Sequence, residues 1–200
     1  IQRGPSQNVL DYLLGAYESE LSLMLEFLPS GGTMQEPQVN NPGDKRRILN
    51  EVGFCLMNLG RLSEAVPFYE RAVASAVAAG DKNVTVGYEN LAELHPHLGT
   101  LEASADAARN ALTLAHRAED KPCELYPLGY QAYSAHLRGD VSTATLAFQQ
   151  AEQLEREIGS NERYLYSSRG IFHADHLRRI GDVEYARRVT EANLKICERE

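Results

Sequence analysis

The sequence has few cysteines and no long apolar run. Its three cysteines, Cys55, Cys123 and Cys197, lie far apart, and their odd number favours a reducing compartment over a disulfide framework. No apolar stretch approaches the roughly 18 residues that a transmembrane helix needs. The first 15 residues also lack the basic and apolar segments of a signal peptide. We therefore expect a cytoplasmic protein with no membrane partner.

Motifs for catalysis and nucleotide binding are also missing. The sequence contains no G-x-x-x-x-G-K-[ST], G-x-G-x-x-G, G-x-S-x-G or H-E-x-x-H segment. His173 and His176 flank Asp175, but no cysteine lies at ligand spacing from this group. We therefore predict no catalytic residues, no metal site and no cofactor. An enzyme that uses His173, Asp175 and His176 is the minor alternative.

Basic residues are outnumbered, with 20 Lys and Arg against 28 Asp and Glu and a net charge of −8. Nonspecific binding to nucleic acid needs a basic stripe, so this balance predicts no nucleic-acid partner. Hydrophobic residues make up 43% of the chain and charged residues 24%. The chain can therefore bury a core and is not expected to be disordered.

What the sequence does contain is an internal repeat. Four segments align on Gly60, Gly99, Gly139 and Gly181, at intervals of 39, 40 and 42 residues. Small residues occupy the seventh position before and the fifth position after each glycine: Gly53, Ala92, Ala132 and Ala174, and Ala65, Ser104, Ala144 and Ala186. Apolar residues follow a helical period on both sides of each glycine, and no comparable stretch alternates with period two. The pattern predicts an all-α fold of helical hairpins.

Helix stops and capping residues divide the chain. Gly80-Asp81, Asp120-Lys121-Pro122 and Gly159-Ser160-Asn161 separate the repeats. We predict four hairpins at about 44–80, 81–120, 121–159 and 160–200. Residues 1–43 should form a leading helix, capped by Ser6, and a polar loop, as an N-terminal cap or a partial repeat.

The segment LGRLSEAVPFYERAV, residues 59–73, carries a small residue, a Leu-Gly turn, Glu-Ala and an aromatic residue. It resembles the tetratricopeptide repeat (TPR) family, and the resemblance extends over residues 44–200. The period exceeds the usual repeat of about 34 residues and is similar to a longer variety of about 40. Two repeats depart from the motif, with Ala108 and Thr190 where Tyr69 and Phe148 stand in the others.

This resemblance implies a right-handed α-solenoid whose first helices line a concave groove. It implies a non-catalytic module for protein interaction that binds a peptide or a partner domain in that groove. The residues that the resemblance places in the groove are Asn50, Phe54, Glu89, Glu93, His97, Tyr126, Tyr133, His136, Asp175 and Arg178.

Two further expectations follow, one from the amino-acid pattern of the repeats and one from the ends of the repeat array. AARNALTLAHRAED and HADHLRRIGDVEYARRVTEANL resemble the C-terminal sensor arms of large bacterial signalling ATPases of the STAND type. The alternative function is therefore a partner-sensing or ligand-sensing arm. Repeat arrays also expose apolar faces at their ends, and the last helix, with Val183, Val189 and Leu194, predicts self-association through such an end.

Overall fold

The computed structural model describes residues 15–29, 35–81, 84–159 and 163–198. Within these ranges the chain is helical and contains no strand, so the all-α prediction is confirmed. In the described residues the α-helices are α1 Tyr17–Leu25, α2 Pro42–Asn58, α3 Leu62–Ala78, α4 Val84–His97, α5 Leu101–Arg117, α6 Leu125–Leu137, α7 Val141–Glu157, α8 Ser167–Ile180 and α9 Val183–Cys197, with a 3-10 turn at Lys121–Glu124 before α6. None of these helices is long and apolar enough to cross a membrane. The Ser6 cap of the leading helix lies outside the described residues.

The four turn glycines share one backbone conformation. Gly60, Gly99, Gly139 and Gly181 have φ values of 74°, 74°, 79° and 92°. At each of them the amide of the following residue bonds to a carbonyl in the preceding turn of helix, as Asp140 N does to Ala135 O at 3.0 Å. This is the Schellman ending of a helix, and it favours glycine because a side chain at positive φ is strained. The spacing of the glycines in sequence therefore marks four equivalent helix ends.

Small residues hold the two helices of a hairpin together. Ala132 and Ala144, seven before and five after Gly139, are both fully buried. In the preceding repeat the hydroxyl of Ser104 donates to the carbonyl of Ala92 at 2.7 Å. In the first repeat a Cβ added to Gly53 would lie 2.9 Å from the ring of Tyr69. The small side chains therefore allow the close backbone approach that their register predicts.

Two compact units divide the chain, Ile1–Asn90 and Leu91–Glu200. The first unit contains α2 packed on α3, with Val52, Cys55, Phe68 and Tyr69 almost completely buried. The second contains the hairpins α6/α7 and α8/α9. Its largest apolar cluster is centred on α6 and α7, and includes Leu128, Ala132, Phe148 and Leu154. A smaller cluster of Leu177, Ala186 and Val189 holds α8 to α9.

Candidate interaction site

Three of the predicted groove residues lie in the first unit, each half-buried. Asn50 on α2 accepts a hydrogen bond from the Asn90 side-chain amide on α4, at 2.8 Å. Phe54 packs edge-to-face on Tyr17 of α1, with ring centroids 5.9 Å apart. Glu89 lies one residue before Asn90 on α4. Asn50 and Phe54 are thus already engaged with neighbouring helices.

In the second unit a polar chain links three first helices. Glu93 on α4 lies near the Tyr130 hydroxyl on α6, and Ser168 on α8 lies near the same hydroxyl. Burial raises the pKa of Glu93, while the Tyr130 hydroxyl and the charge of His97 oppose the rise. Burial and the nearby Glu93 carboxylate raise the pKa of Tyr130. The chain therefore fixes the Glu93 carboxyl group beside α6, and His97 lies exposed one turn further along α4.

The tyrosines of α6 lie against α8. Tyr126 is 38% exposed and packs on the guanidinium of Arg169, whose carbon lies 4.6 Å from the ring centroid. Tyr133 stacks on Phe172, with centroids 3.8 Å apart and planes within 8°. Arg169 itself is buried and contacts Glu155 of α7 at 3.4 Å. Both tyrosines are thus held rigidly while keeping part of their rings accessible.

Asp175 and Arg178 lie together on α8. Arg178 Nη2 donates to Asp175 Oδ1 at 2.7 Å, and Arg179 Nε lies 3.0 Å from Asp175 Oδ2. His136 Nε2 donates to the same Oδ2 at 2.9 Å. Burial alone would raise the pKa of Asp175, but the bonds from Arg178 and His136 and the charge of Arg179 outweigh it and lower the pKa. Asp175 is therefore a carboxylate at neutral pH.

His136 lies beneath this surface, since only 6% of it is exposed. The structure thus gives it contacts with other side chains, whereas the sequence placed it in the open groove. Its Nδ1 lies 3.2 Å from Nδ1 of His176, and His176 Nε2 lies 2.8 Å from Thr145 Oγ1. His136 therefore positions Asp175 from below.

The contact between the two Nδ1 atoms limits the charge of the histidine pair. One proton can occupy it, from either ring, because two N–H groups would face each other. The Thr145 hydroxyl lies within bonding distance of both His176 Nε2 and the Val141 carbonyl, and it can donate to only one of them. Burial, together with the charges of His136 and His173, lowers the pKa of His176. Protonation of His176 is therefore disfavoured in the folded state.

A second buried polar group lies where α8 meets α7 and α9. The Tyr185 hydroxyl of α9 contacts both oxygens of Glu152 of α7, at 2.9 and 3.0 Å. His173 Nδ1 lies 3.5 Å from Glu152 Oε1. Burial alone would raise the pKa of Glu152, but His173 and the Tyr185 hydroxyl outweigh it and lower the pKa. Polar pairs thus join α7, α8 and α9.

The group proposed as an enzymatic alternative is enclosed by these contacts. His173 and His176 are 3% and 1% exposed, and Asp175 is bonded to two arginines and a histidine. A nucleophile or general base must reach its substrate, and the two rings have no such access. No group of three or more histidines, cysteines or carboxylates in the described ranges is placed to hold a metal ion. The geometry favours a structural role for these residues.

Sequence reasoning missed Tyr130, Arg169 and Phe172. Arg169 and Phe172 belong to the stripe of α8 that packs on α6 and α7. Gly129 was a signal for Arg169, since a Cβ there would lie 2.8 Å from its Cγ. A glycine inside a helix often marks such a close approach.

Comparison with solved structures identifies the fold. BtubC (BKLC) from P. vanneervenii matches with a TM-score of 0.71 and 18% identity, over 94% of this chain and 76% of that one. A kinesin light chain-like protein of Podosopora anserina with nearly identical TPR-like repeats matches with a TM-score of 0.68 and 14% identity, over 94% of this chain and 90% of that one. The chain has a TPR-like repeat fold.

A single-substitution variant of the Podosopora anserina protein matches similarly, with a TM-score of 0.63, 15% identity, and coverage of 94% of this chain and 87% of that one. At these identities the TPR-like matches show the fold alone. No protein-family model matches the sequence. No curated protein is significantly similar to it. The TPR-like resemblance predicted from the turn glycines is therefore confirmed at the level of fold.

Proposed function

We propose that this chain is a non-catalytic protein-interaction module that binds a peptide or a partner domain with its first helices. In the second unit the surface concerned, called here the first-helix face, consists of Glu93, His97, Tyr126, Tyr133, Asp175 and Arg178. His136 supports it from below by bonding to Asp175. The cysteines, spaced too widely in sequence to suggest a framework, support a cytoplasmic setting.

The observation that carries this proposal is the pair of ordered, partly accessible tyrosines. Tyr126 packs on Arg169 and Tyr133 packs on Phe172, so neither ring loses much conformational entropy when a partner covers it. Rigid aromatic side chains of this kind are the usual anchors of protein interfaces. The first-helix face therefore offers two anchors on one helix.

Charge gives the first-helix face a direction. Glu93 lies on α4, whereas Arg178 and Arg179 lie near the end of α8. Their opposite signs would orient an extended peptide with a basic residue near Glu93 and an acidic residue near the arginines. A complementary peptide would therefore have charged residues of opposite sign on either side of its aromatic contacts.

Affinity capture with three tagged forms of the chain tests this proposal. The forms are the wild type, the double variant Glu93→Gln/Tyr126→Ala, and Leu146→Ala as a control. Leu146 is an exposed apolar residue of the second helix α7, so its variant matches the loss of apolar surface without touching the first-helix face. Circular dichroism checks that all three are folded.

We expect wild type and Leu146→Ala to retain the same interacting proteins, and the double variant to lose at least one of them by about tenfold. Gln keeps a hydrogen-bond acceptor for Tyr130, so the change at Glu93 removes mainly charge. A folded double variant that captures the same proteins in the same amounts would show that the first-helix face is not the binding surface.

The alternative function, a sensing arm of a signalling ATPase of the STAND type, would use the same surface. It rests on the style of the repeats in sequence and makes a separate prediction about the gene. That prediction is a nucleotide-binding domain on the same polypeptide. A gene that encodes the repeats without such a domain would remove this alternative and leave the interaction module.

A further inference from the structure

A groove of about 500 Å³ lies between α8 and α9. Its floor is formed by residues with small or no side chains, Gly170, Ala174 and Ala186. Ile171 and Val183 border it and are largely exposed. Charged and polar side chains complete the lining: Asp175, Arg178, Arg187, Thr190 and Asn193. The groove shares Asp175 and Arg178 with the first-helix face and differs from it in also using the second helix of the hairpin.

The repeat register relates this groove to a surface that is covered in the preceding hairpin. Gly139 and Gly181 are equivalent and lie 42 positions apart. Among the residues of α6 and α7 that α8 contacts are Gly129, Tyr133, His136, Thr145, Phe148 and Glu152. It also contacts Tyr126, Tyr130 and Glu155, whose equivalents lie outside the groove. The equivalents of the first six are Ile171, Asp175, Arg178, Arg187, Thr190 and Leu194. All of these except Leu194 line the groove.

α8 covers the preceding hairpin with one stripe of four side chains. Arg169 fills the space above Gly129, and Phe172 stacks on Tyr133. His173 stacks on Phe148 with centroids 4.8 Å apart, and His176 contacts both His136 and Thr145. These four residues have the spacing i, i+3, i+4 and i+7 of one helical face. The equivalent surface on α8 and α9 therefore has the shape to receive one helix.

We propose that the α8/α9 groove is a docking surface for a single amphipathic helix of a partner, with three apolar residues at i, i+3 and i+4 and a carboxylate at i+7. The first three positions would face Ile171, Asp175 and Thr190, on either side of the small-residue floor. The last would lie between Arg178 and Arg187, the equivalents of the two residues that His176 contacts. In α8 the residue at i+7 is His176, which can bond to His136 and Thr145. In the α8/α9 groove the equivalent residues are two arginines, so the residue at i+7 of the partner helix should be acidic.

Both arginines are accessible to such a carboxylate. The side chains of Arg178 and Arg187 are 64% and 57% exposed. Each is bonded to carboxylates of its own helix, Arg178 to Asp175 and Arg187 to Glu184 and Glu191. An arginine has five N–H donors, so these bonds leave donors for an incoming acid. The partner helix is thus specified by its charge as well as by its apolar stripe.

Two synthetic helical peptides with the length of α8 test the proposal on the full chain. Both have Leu, Phe and Leu at the positions of Arg169, Phe172 and His173. One has Glu at the position of His176 and the other has Lys. Fluorescence anisotropy measures the binding of each labelled peptide. We expect the Glu peptide to bind about tenfold more tightly than the Lys peptide, which corresponds to about 1.4 kcal/mol.

Three variants locate the binding. The double variant Arg178→Glu/Arg187→Glu should reverse the preference between the peptides. Thr190→Glu should abolish binding of both, because Thr190 lines the groove and would face an apolar residue of either peptide, so that binding would remove a charge from water. Gln149→Glu places the same charge on an exposed position of α7 and should bind the peptides like wild type.

Equal affinity for the two peptides, or binding that survives Thr190→Glu, would overturn the proposal. Sedimentation velocity on wild type and Thr190→Glu tests whether a second copy of this chain occupies the groove. A wild-type dimer that Thr190→Glu converts to a monomer would show that it does, and would also overturn the proposal.

Discussion

The hairpins α6/α7 and α8/α9 have the same helix ends and register, yet they bury very different amounts of their second helix. α7 buries Ala144, Ala147, Phe148, Ala151, Glu152, Leu154 and Glu155. α9, only two residues shorter, buries Ala186 and Val189. α8 packs across α6 and α7, and no described element packs in the same way across α8 and α9. A covering helix therefore adds to the core of the hairpin on which it packs.

The largest expected effect on stability comes from replacing equivalent residues of α7 and α9 by alanine. Phe148 and Thr190 both lie nine residues after their turn glycines. Phe148 is fully buried against His173 and His176, whereas Thr190 is exposed. We expect Phe148→Ala to lower the free energy of unfolding by about 3–5 kcal/mol and Thr190→Ala to change it by less than about 0.5.

Urea unfolding followed by circular dichroism measures both changes. Similar losses in the two variants would show that the fourth hairpin is as closely packed as the third, and the comparison between them would fail.

A smaller effect is expected at two glycines inside first helices. A Cβ on Gly170 of α8 would lie 2.4 Å from the backbone oxygen of Leu165, which cannot move independently. A Cβ on Gly129 of α6 would instead meet the side-chain stem of Arg169, at 2.8 Å. We expect Gly170→Ala to cost roughly 2 kcal/mol after the gain in helix propensity, and Gly129→Ala to cost less. Thermal unfolding of the two variants ranks them, and the reverse order would contradict these contacts.

Acid should weaken the polar contacts between the two hairpins. The pKa of His176 is lowered from 6.5 in the folded state, so the unfolded chain binds this proton more readily. His176 therefore contributes its full stability at a pH above its pKa in the unfolded chain, about 6.5. This contribution decreases as the pH drops from there towards the lower pKa of His176 in the folded chain. The pKa values of Glu152 and Asp175 are also lowered, so their contribution is lost in the same direction at still lower pH.

The charged and titratable groups around His176 and Glu152 are His136, His173, Asp175, Tyr185 and Arg156. Urea unfolding at pH 7.5, 6.5 and 5.5 should show that the free energy of unfolding decreases as the pH is lowered. His176→Gln should flatten the upper part of this dependence, because Gln does not titrate. Constant or rising stability from pH 7.5 to 5.5 in the wild type would contradict the buried histidine pair.

The smallest effect concerns the helix ends between hairpins. α3 and α7 are followed by Gly80 and Gly159 at positive φ, whereas α5 is followed by Glu119 at φ 53°. A side chain is strained in this conformation, so Glu119→Gly should stabilise the chain by about 0.5–1 kcal/mol. Differential scanning calorimetry measures the change. A lower melting temperature for the variant would show that the Glu119 side chain outweighs its backbone strain.

The turn glycines and small residues allowed the fold to be predicted. The glycines are needed for the positive φ at each helix end, and the small residues for the close approach of the two helices. The candidate site was less predictable. The TPR resemblance placed Tyr133 and His136 in one groove, but it gave no sign that His136 lies under Asp175. Nor could it show that Arg169 packs on Tyr126, since both contacts depend on how α8 crosses α6. The groove between α8 and α9 was foreseen only as an exposed apolar end.

Hydrogen–deuterium exchange tests most directly whether a covering helix adds to the core of a hairpin. The amides in the middle of α7 and of α9 are compared in the full chain at one pH. The account predicts that α9 exchanges at least about tenfold faster than α7, because local opening of α9 exposes little buried surface. Equal protection of the two helices would contradict it.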